Sequence, residues 1–178
     1  GYSLHYDKLF TPLRDQPVKL LEIGSASGEG IRMWLDYFAH AETRIYGVDN
    51  VKDTCPWNIP GNRLDRFTFV YGDQTCEVFW RCFIADYGKD FDIVIDDGGH
   101  FNDGIITSFN GLWPYVKPGG FYAVEDLGCA YGPGSIFVKP GFYSHMEWLH
   151  QTIDNLNIGI GTDSIYFSRE LAVLRKAL

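Results

Sequence analysis

Short runs of β-branched and aromatic residues alternate along the chain with longer stretches whose apolar positions recur every three or four residues. That alternation predicts an α/β fold, a mostly parallel sheet covered by helices. The first strand is expected at 18–23, closed by Gly24 and the small residues after it. A helix over 28–38 follows, because Ile31, Trp34, Leu35 and Phe38 share one face at i, i+3, i+4 and i+7. Further strands are expected at 44–49, 67–71 and 91–96, with helical spacing returning over 76–87. Asn102 has the residue type of an N-cap and predicts a helix reaching Trp113. Lys117-Pro-Gly-Gly120 reads as a turn into a fifth strand at 121–125. The Gly- and Pro-rich stretch 128–141 is expected to be a loop, followed by a helix over 143–156. Apolar runs at 164–168 and 171–175, split at Arg169-Glu170, predict an antiparallel hairpin added to the sheet.

Three places along this pattern carry chemistry. Glu22-Ile-Gly-Ser-Ala-Ser-Gly-Glu-Gly30 falls where the first strand turns into the first helix. Small residues there let the backbone approach a ligand, and a helix N-terminus offers unpaired N–H groups. The spacing is not G-x-G-x-x-G, since Ala26 takes the middle small position. E-x-G-x-A-x-G suits a loop that cradles the methionine and ribose of S-adenosylmethionine (SAM), which has no pyrophosphate. Glu22, Gly24, Ser25 and Gly28 are its candidate contacts; the plain alternative is a tight turn needing glycine for geometry alone. Asp49 ends the second strand, where a carboxylate can accept hydrogen bonds from both ribose hydroxyls. Asp73, in Tyr71-Gly-Asp-Gln74, stands either at the adenine amine or as a helix cap.

The third place is Ile95-Asp-Asp-Gly-Gly-His100 together with Val124-Glu-Asp126. Both segments end central strands on the edge where open α/β sheets bind ligands. Unpaired acids crowded at one rim raise each other's pKa, and a cation relieves them. Oxygen ligands suit Mg²⁺ or a similar hard ion better than zinc. His100 is then a candidate general base, tunable near neutral pH. In the alternative reading Asp96 and Asp126 only cap helices and His100 only bonds within its loop.

Composition narrows the partners. The chain has 178 residues and a formal net charge of −8, with no Lys/Arg-rich run. Phosphate-rich partners, nucleic acid and anionic membrane, are therefore not expected. No apolar run approaches the roughly 20 residues of a membrane span, and residues 1–10 lack the basic opening and apolar run of a signal peptide. Cys55, Cys76, Cys82 and Cys129 show no CxxC pairing and no zinc-ligand spacing with histidine, so reduced thiols and a cytoplasmic location are expected. No interdomain linker is visible, and one domain over 1–178 is expected. A homo-oligomer is left open.

Taken together, the segments Leu20-Leu-Glu-Ile-Gly24, Ile31-Arg-Met-Trp34, Ile45-Tyr-Gly-Val-Asp49, Gly72-Asp-Gln74, Ile95-Asp-Asp-Gly-Gly-His100, Lys117-Pro-Gly-Gly120 and Glu125-Asp126 occur in one order. In that order the chain resembles the SAM-dependent macrolide and sugar O-methyltransferases, the demethylmacrocin O-methyltransferase type. The resemblance implies the Rossmann-like fold of class I methyltransferases, a seven-stranded sheet closed by an antiparallel hairpin. It also implies Mg²⁺-dependent transfer of a methyl group from SAM to a hydroxyl of a small molecule, often on a sugar. Carried residue by residue, it puts metal on Asp97, Glu125 and Asp126, the base on His100 and the SAM ribose on Asp49; Asp96 is counted with the cofactor contacts. The chain stops short of the auxiliary N-terminal region that sugar-modifying members use, so the loop 128–141, with Tyr131 and Phe137, and Phe142 beyond it are expected to supply much of the acceptor pocket. A nicotinamide-dependent oxidoreductase predicts a G-x-G-x-x-G loop and parallel closing strands, neither of which the sequence shows clearly. A catalytically silent assembly subunit of the same fold is the other alternative.

Overall fold

In the computed structural model, which describes residues 1–51, 59–131 and 135–178, the expected strands all form. Cys55 and part of the loop 128–141 lie outside the described residues. The strands are β1 (Lys19–Ile23), β2 (Arg44–Asp49), β3 (Phe67–Tyr71), β4 (Phe91–Asp96), β5 (Val116–Val124), β6 (Thr162–Ser168) and β7 (Leu171–Lys176). They make one sheet in the order β3-β2-β1-β4-β5-β7-β6. The β1–β5 pairings are parallel, and β7 runs antiparallel to both β5 and β6.

Strict alternation sends successive side chains to opposite faces, so each central strand must be apolar on both. Leu20 packs with Trp34, Phe38, Ile45 and Ile93 on one face. Its neighbour Leu21 packs with Trp80, Phe83, Val94 and Tyr122 on the other. The helices covering these faces are α1 (Ser3–Phe10), α2 (Glu29–Tyr37), α3 (Glu77–Tyr87), α4 (Asn102–Leu112) and α5 (His145–Asn157). Ile31, Trp34, Leu35 and Phe38, expected as one helix face, are all buried. β1 pairs with β2 on one side and β4 on the other, so the connections diverge there and leave a crevice beyond the strand ends.

Three elements depart from expectation. Helix α1 was not legible in the pattern; its buried Tyr6 and Phe10 stand four apart, while Leu4 faces solvent. Asn102 is not the N-cap of α4, a place taken by Phe101 in extended conformation. Instead its fully buried amide clamps a distant segment: Oδ1 accepts from Lys139 N at 2.7 Å, and Nδ2 donates to Lys139 O and Tyr143 O. β5 begins at Val116, before the expected turn, and the Pro-Gly-Gly chemistry becomes a register shift beside Phe91 and Ile93, with Gly119 at φ 76°. α5 starts on a capping box between Ser144 and Glu147.

Candidate active site

Where β1 runs into α2, the backbone turns through Gly24 (φ 83°), Ala26 (φ 41°) and Gly28 (φ 87°). A side chain on Gly24 would collide with the carbonyl of Asp97, so glycine lets the loops after β1 and β4 touch. Asp49 braces this turn: Oδ2 accepts from Ala26 N and Oδ1 from Val51 N, both at 2.9 Å. A carboxylate has about four acceptor positions, so two remain among the described residues. Asp73 does not cap α3, whose N-cap is Cys76 without a side-chain bond. Its Oδ1 accepts from Thr75 N and Oγ1 at 2.8 Å, and the residue lines the crevice.

That crevice has a volume of about 310 Å³ and is bounded by Gly24, Ala26, Asp49, Asp73, Asp97, Gly98, Gly99 and Phe101, among others. It is mostly small residues and backbone on the floor, with carboxylates at the edge and one aromatic wall. Several residues expected to touch a cofactor lie behind it. Glu22 is buried beneath α2, where a side chain on Gly30 would strike its carboxylate. Burial pushes its carboxyl up to about 8 against a hydrogen bond from Trp34 that pulls it down. Ser25 is 2% exposed, and its Oγ has no partner among the described residues. Gly28 caps α2.

Asp96, expected among the cofactor contacts, is 1% exposed, and its oxygens face partners inside the protein. Ser108 Oγ donates to Oδ2, Tyr122 OH reaches the same oxygen at 3.3 Å, and Gln74 Nε2 donates to Oδ1 at 3.2 Å. Burial raises its pKa, and these hydrogen bonds oppose the rise. Gln74 was missed as a site residue. Its other end accepts from Gly99 N at 2.7 Å, strutting the loop after β3 to the loop after β4.

At the rim beside the crevice, Asp97, His100 and Asp126 each offer a ligand atom, all within 4.8 Å of one another. His100 Nε2 stands 3.5 Å from Asp126 Oδ2. Both residues sit in left-handed backbone, φ 57° and φ 53°, a strain that surrounding contacts must hold. One such contact is His145, whose Nε2 meets the His100 carbonyl at 2.9 Å. A carbonyl only accepts, so Nε2 carries the proton in this contact, and burial lowers the His145 pKa.

Glu125 lies just outside this trio. It was expected as a third carboxylate ligand; its Oε1 accepts from Tyr6 OH at 2.5 Å, and Oε2 is the oxygen that bond does not engage. Asp126 is held likewise, with Tyr2 OH donating to Oδ1 at 2.5 Å. Both tyrosines belong to α1 and its entry and were missed by the sequence reading. The Tyr2–Tyr6–Phe10 spacing was the available signal. Burial and then the charges of Glu125, Asp126 and Asp96 push Asp97 up to about 7. Glu125 also rises to about 7, by burial first, opposed by the Tyr6 hydrogen bond. Crowded acids beside one imidazole, with Asp97 and Glu125 raised by burial and then by neighbouring charge, are carboxylate donors that fit a hard divalent cation.

On the acceptor side, Phe137 packs on Phe101 at 5.1 Å between ring centroids, while Tyr131 and Phe142 are exposed. None of the helices among the described residues is long and apolar enough to cross a membrane.

A family model described as a methyltransferase domain matches residues 21–127. Demethylmacrocin O-methyltransferase of Streptomyces fradiae is 40% identical over 140 residues, covering 75% of this chain and 33% of that protein. Mycinamicin VI 2''-O-methyltransferase of Micromonospora griseorubida is 38% identical over 140 residues, with the same coverage. The chain therefore spans about a third of the length of the curated relatives it matches. Among solved structures, the MycE methyltransferase of the mycinamycin biosynthetic pathway, in complex with Mg and SAH, superposes with a TM-score of 0.81 at 30% identity. That match covers 99% of this chain and 49% of that one.

Proposed function

The chain belongs to the methyltransferase domain family, and from that premise we propose that residues 1–178 form a SAM-dependent O-methyltransferase domain that uses Mg²⁺ and acts on a small-molecule hydroxyl, such as one on a sugar or glycosylated natural product. The observation that carries this reading is one of placement. A crevice edged by Asp49 and Asp73 shares Asp97 with the cluster Asp97, His100 and Asp126. The relatives' O-methyl transfer and the Mg and SAH of the MycE structure support it.

A sulfonium donor supplies an electrophilic methyl carbon, and a divalent cation held by Asp97 and Asp126 supplies charge that acidifies a nearby hydroxyl. Asp49 binds the donor's ribose diol with the acceptor positions left free by Ala26 and Val51. Asp73, which also lines the crevice, would receive the adenine amine. His100 Nε2 accepts the proton of the acceptor hydroxyl, and Asp126 Oδ2, 3.5 Å away, stabilises the imidazolium that results. Phe101, which lines the crevice, and Phe137 stacked on it offer an apolar face to the acceptor.

Calorimetric titration of SAM into the protein, first with Mg²⁺ and then with EDTA, tests the reading. Saturable binding that changes on chelation is expected. No binding under either condition sinks it in favour of a silent fold.

A further inference from the structure

Helix α1 reaches the acidic rim with two phenol hydroxyls, and each takes one oxygen of one carboxylate. Tyr6 OH donates to Glu125 Oε1, and Tyr2 OH donates to Asp126 Oδ1, each at 2.5 Å. Asp126 N also donates to Tyr2 Oη at 3.3 Å, so Tyr2 grips both the side chain and the left-handed backbone of Asp126. The oxygen left over on Asp126 is Oδ2, the one that faces His100. We propose that Tyr2 and Tyr6 are positioning residues for the divalent cation, each phenol pinning one oxygen of Asp126 or Glu125 so that the other is presented toward Asp97 and His100. The inference rests on the cation reading above.

Packing holds α1 independently of these two bonds. Tyr6 stacks on Phe10 at 5.2 Å and meets the edge of Trp34 at 5.3 Å, and Phe10 also packs on Phe121. His5 bonds through Nδ1 to Tyr166 OH at 2.7 Å and through Nε2 to Ser168 Oγ at 2.9 Å. Removing a phenol oxygen therefore leaves the ring contacts and the helix anchor in place. What it frees is rotation of a carboxylate among like charges, where the favoured orientation points away from the other acids. Partners that orient metal ligands from behind are worth roughly 10–100-fold in metal affinity.

The test is calorimetric titration of Mg²⁺ into wild type, Tyr2→Phe, Tyr6→Phe and the double variant without SAM, paired with thermal melting in EDTA. Wild type is expected to bind, each single variant to bind roughly tenfold more weakly, and melting in EDTA to move little. Tyr2 is partly exposed, so Tyr2→Phe decides the matter even where Tyr6→Phe fails to fold. Variants that bind Mg²⁺ as tightly as wild type overturn the proposal alone, leaving the phenols as core fillers. A wild type that takes up no Mg²⁺ overturns the cation reading, and the positioning role falls with it.

Discussion

His100 is held in left-handed backbone by a carbonyl contact to His145, and its imidazole faces Asp126 across 3.5 Å. Among the described residues it is the one imidazole in the rim cluster, which makes it the candidate base. His100→Ala is therefore expected to lower methyl transfer by roughly 10²–10⁴-fold, the usual share of a positioned proton acceptor, while SAM affinity holds. A transfer rate within threefold of wild type would remove it from the mechanism. Asp49 makes the complementary prediction. Asp49→Ala loses the acceptor of two loop N–H groups and of the ribose diol together, and charged hydrogen bonds are worth about 1.5–3 kcal/mol each. SAM binding should weaken by roughly tenfold or more, read by the same calorimetry. Both residues stood out because Asp49 ends β2 and His100 lies in the loop just after β4, at the edge where open sheets bind ligands. Asp96 occupies an equally suggestive position and proved internal. Alternation puts Asp96 and Asp97 on opposite sides, and no one-dimensional pattern says which side is the crevice.

At the scale of elements, period and turn chemistry carried most of the fold, from the apolar run of β4 to the Arg169-Glu170 break of the hairpin. What failed depended on partners remote in sequence. Helix α1 is eight residues long and buries only Tyr6 and Phe10, too little for a periodic signal, and its phenols matter through Glu125 and Asp126, more than a hundred residues away. Asn102 has the right residue type for a cap, yet its amide serves Lys139 and Tyr143. That clamp ties the segment carrying Phe137 to α4, since Asn102 N also donates to the Phe137 carbonyl. Asn102→Ala leaves the Lys139 amide without its acceptor. It should cost about 1–3 kcal/mol of stability, measured by denaturant melting, and speed hydrogen exchange at Lys139 while β4 stays protected. Unchanged exchange at Lys139 would show that the clamp does not hold the loop.

Over the whole molecule, the net charge of −8 and the buried acids near β1 act in the same direction. Glu22 shifts from 4.5 to about 8, and burial dominates the shift. An acid whose folded pKa is raised keeps its proton longer in the native state than in the unfolded chain. Its stabilising contribution is complete below pH 4.5 and is lost as pH rises through about 8. The protein in EDTA should therefore melt at progressively lower temperature across that window, at roughly 1.4 kcal/mol per pH unit for a single group. Glu22→Gln keeps the shape and the Trp34 hydrogen bond but removes the titration, so its melting temperature should depend less on pH and exceed wild type at pH 8. Mg²⁺ acts on a different group of acids, Asp97 and Asp126, and should raise the melting temperature of both proteins. Identical pH dependence in wild type and Glu22→Gln would mean that the buried acid beneath α2 is not what limits stability. Loss of the Mg²⁺ increment in Glu22→Gln would instead couple that acid to the rim through Asp97, whose charge already adds to the rise of the Glu22 pKa.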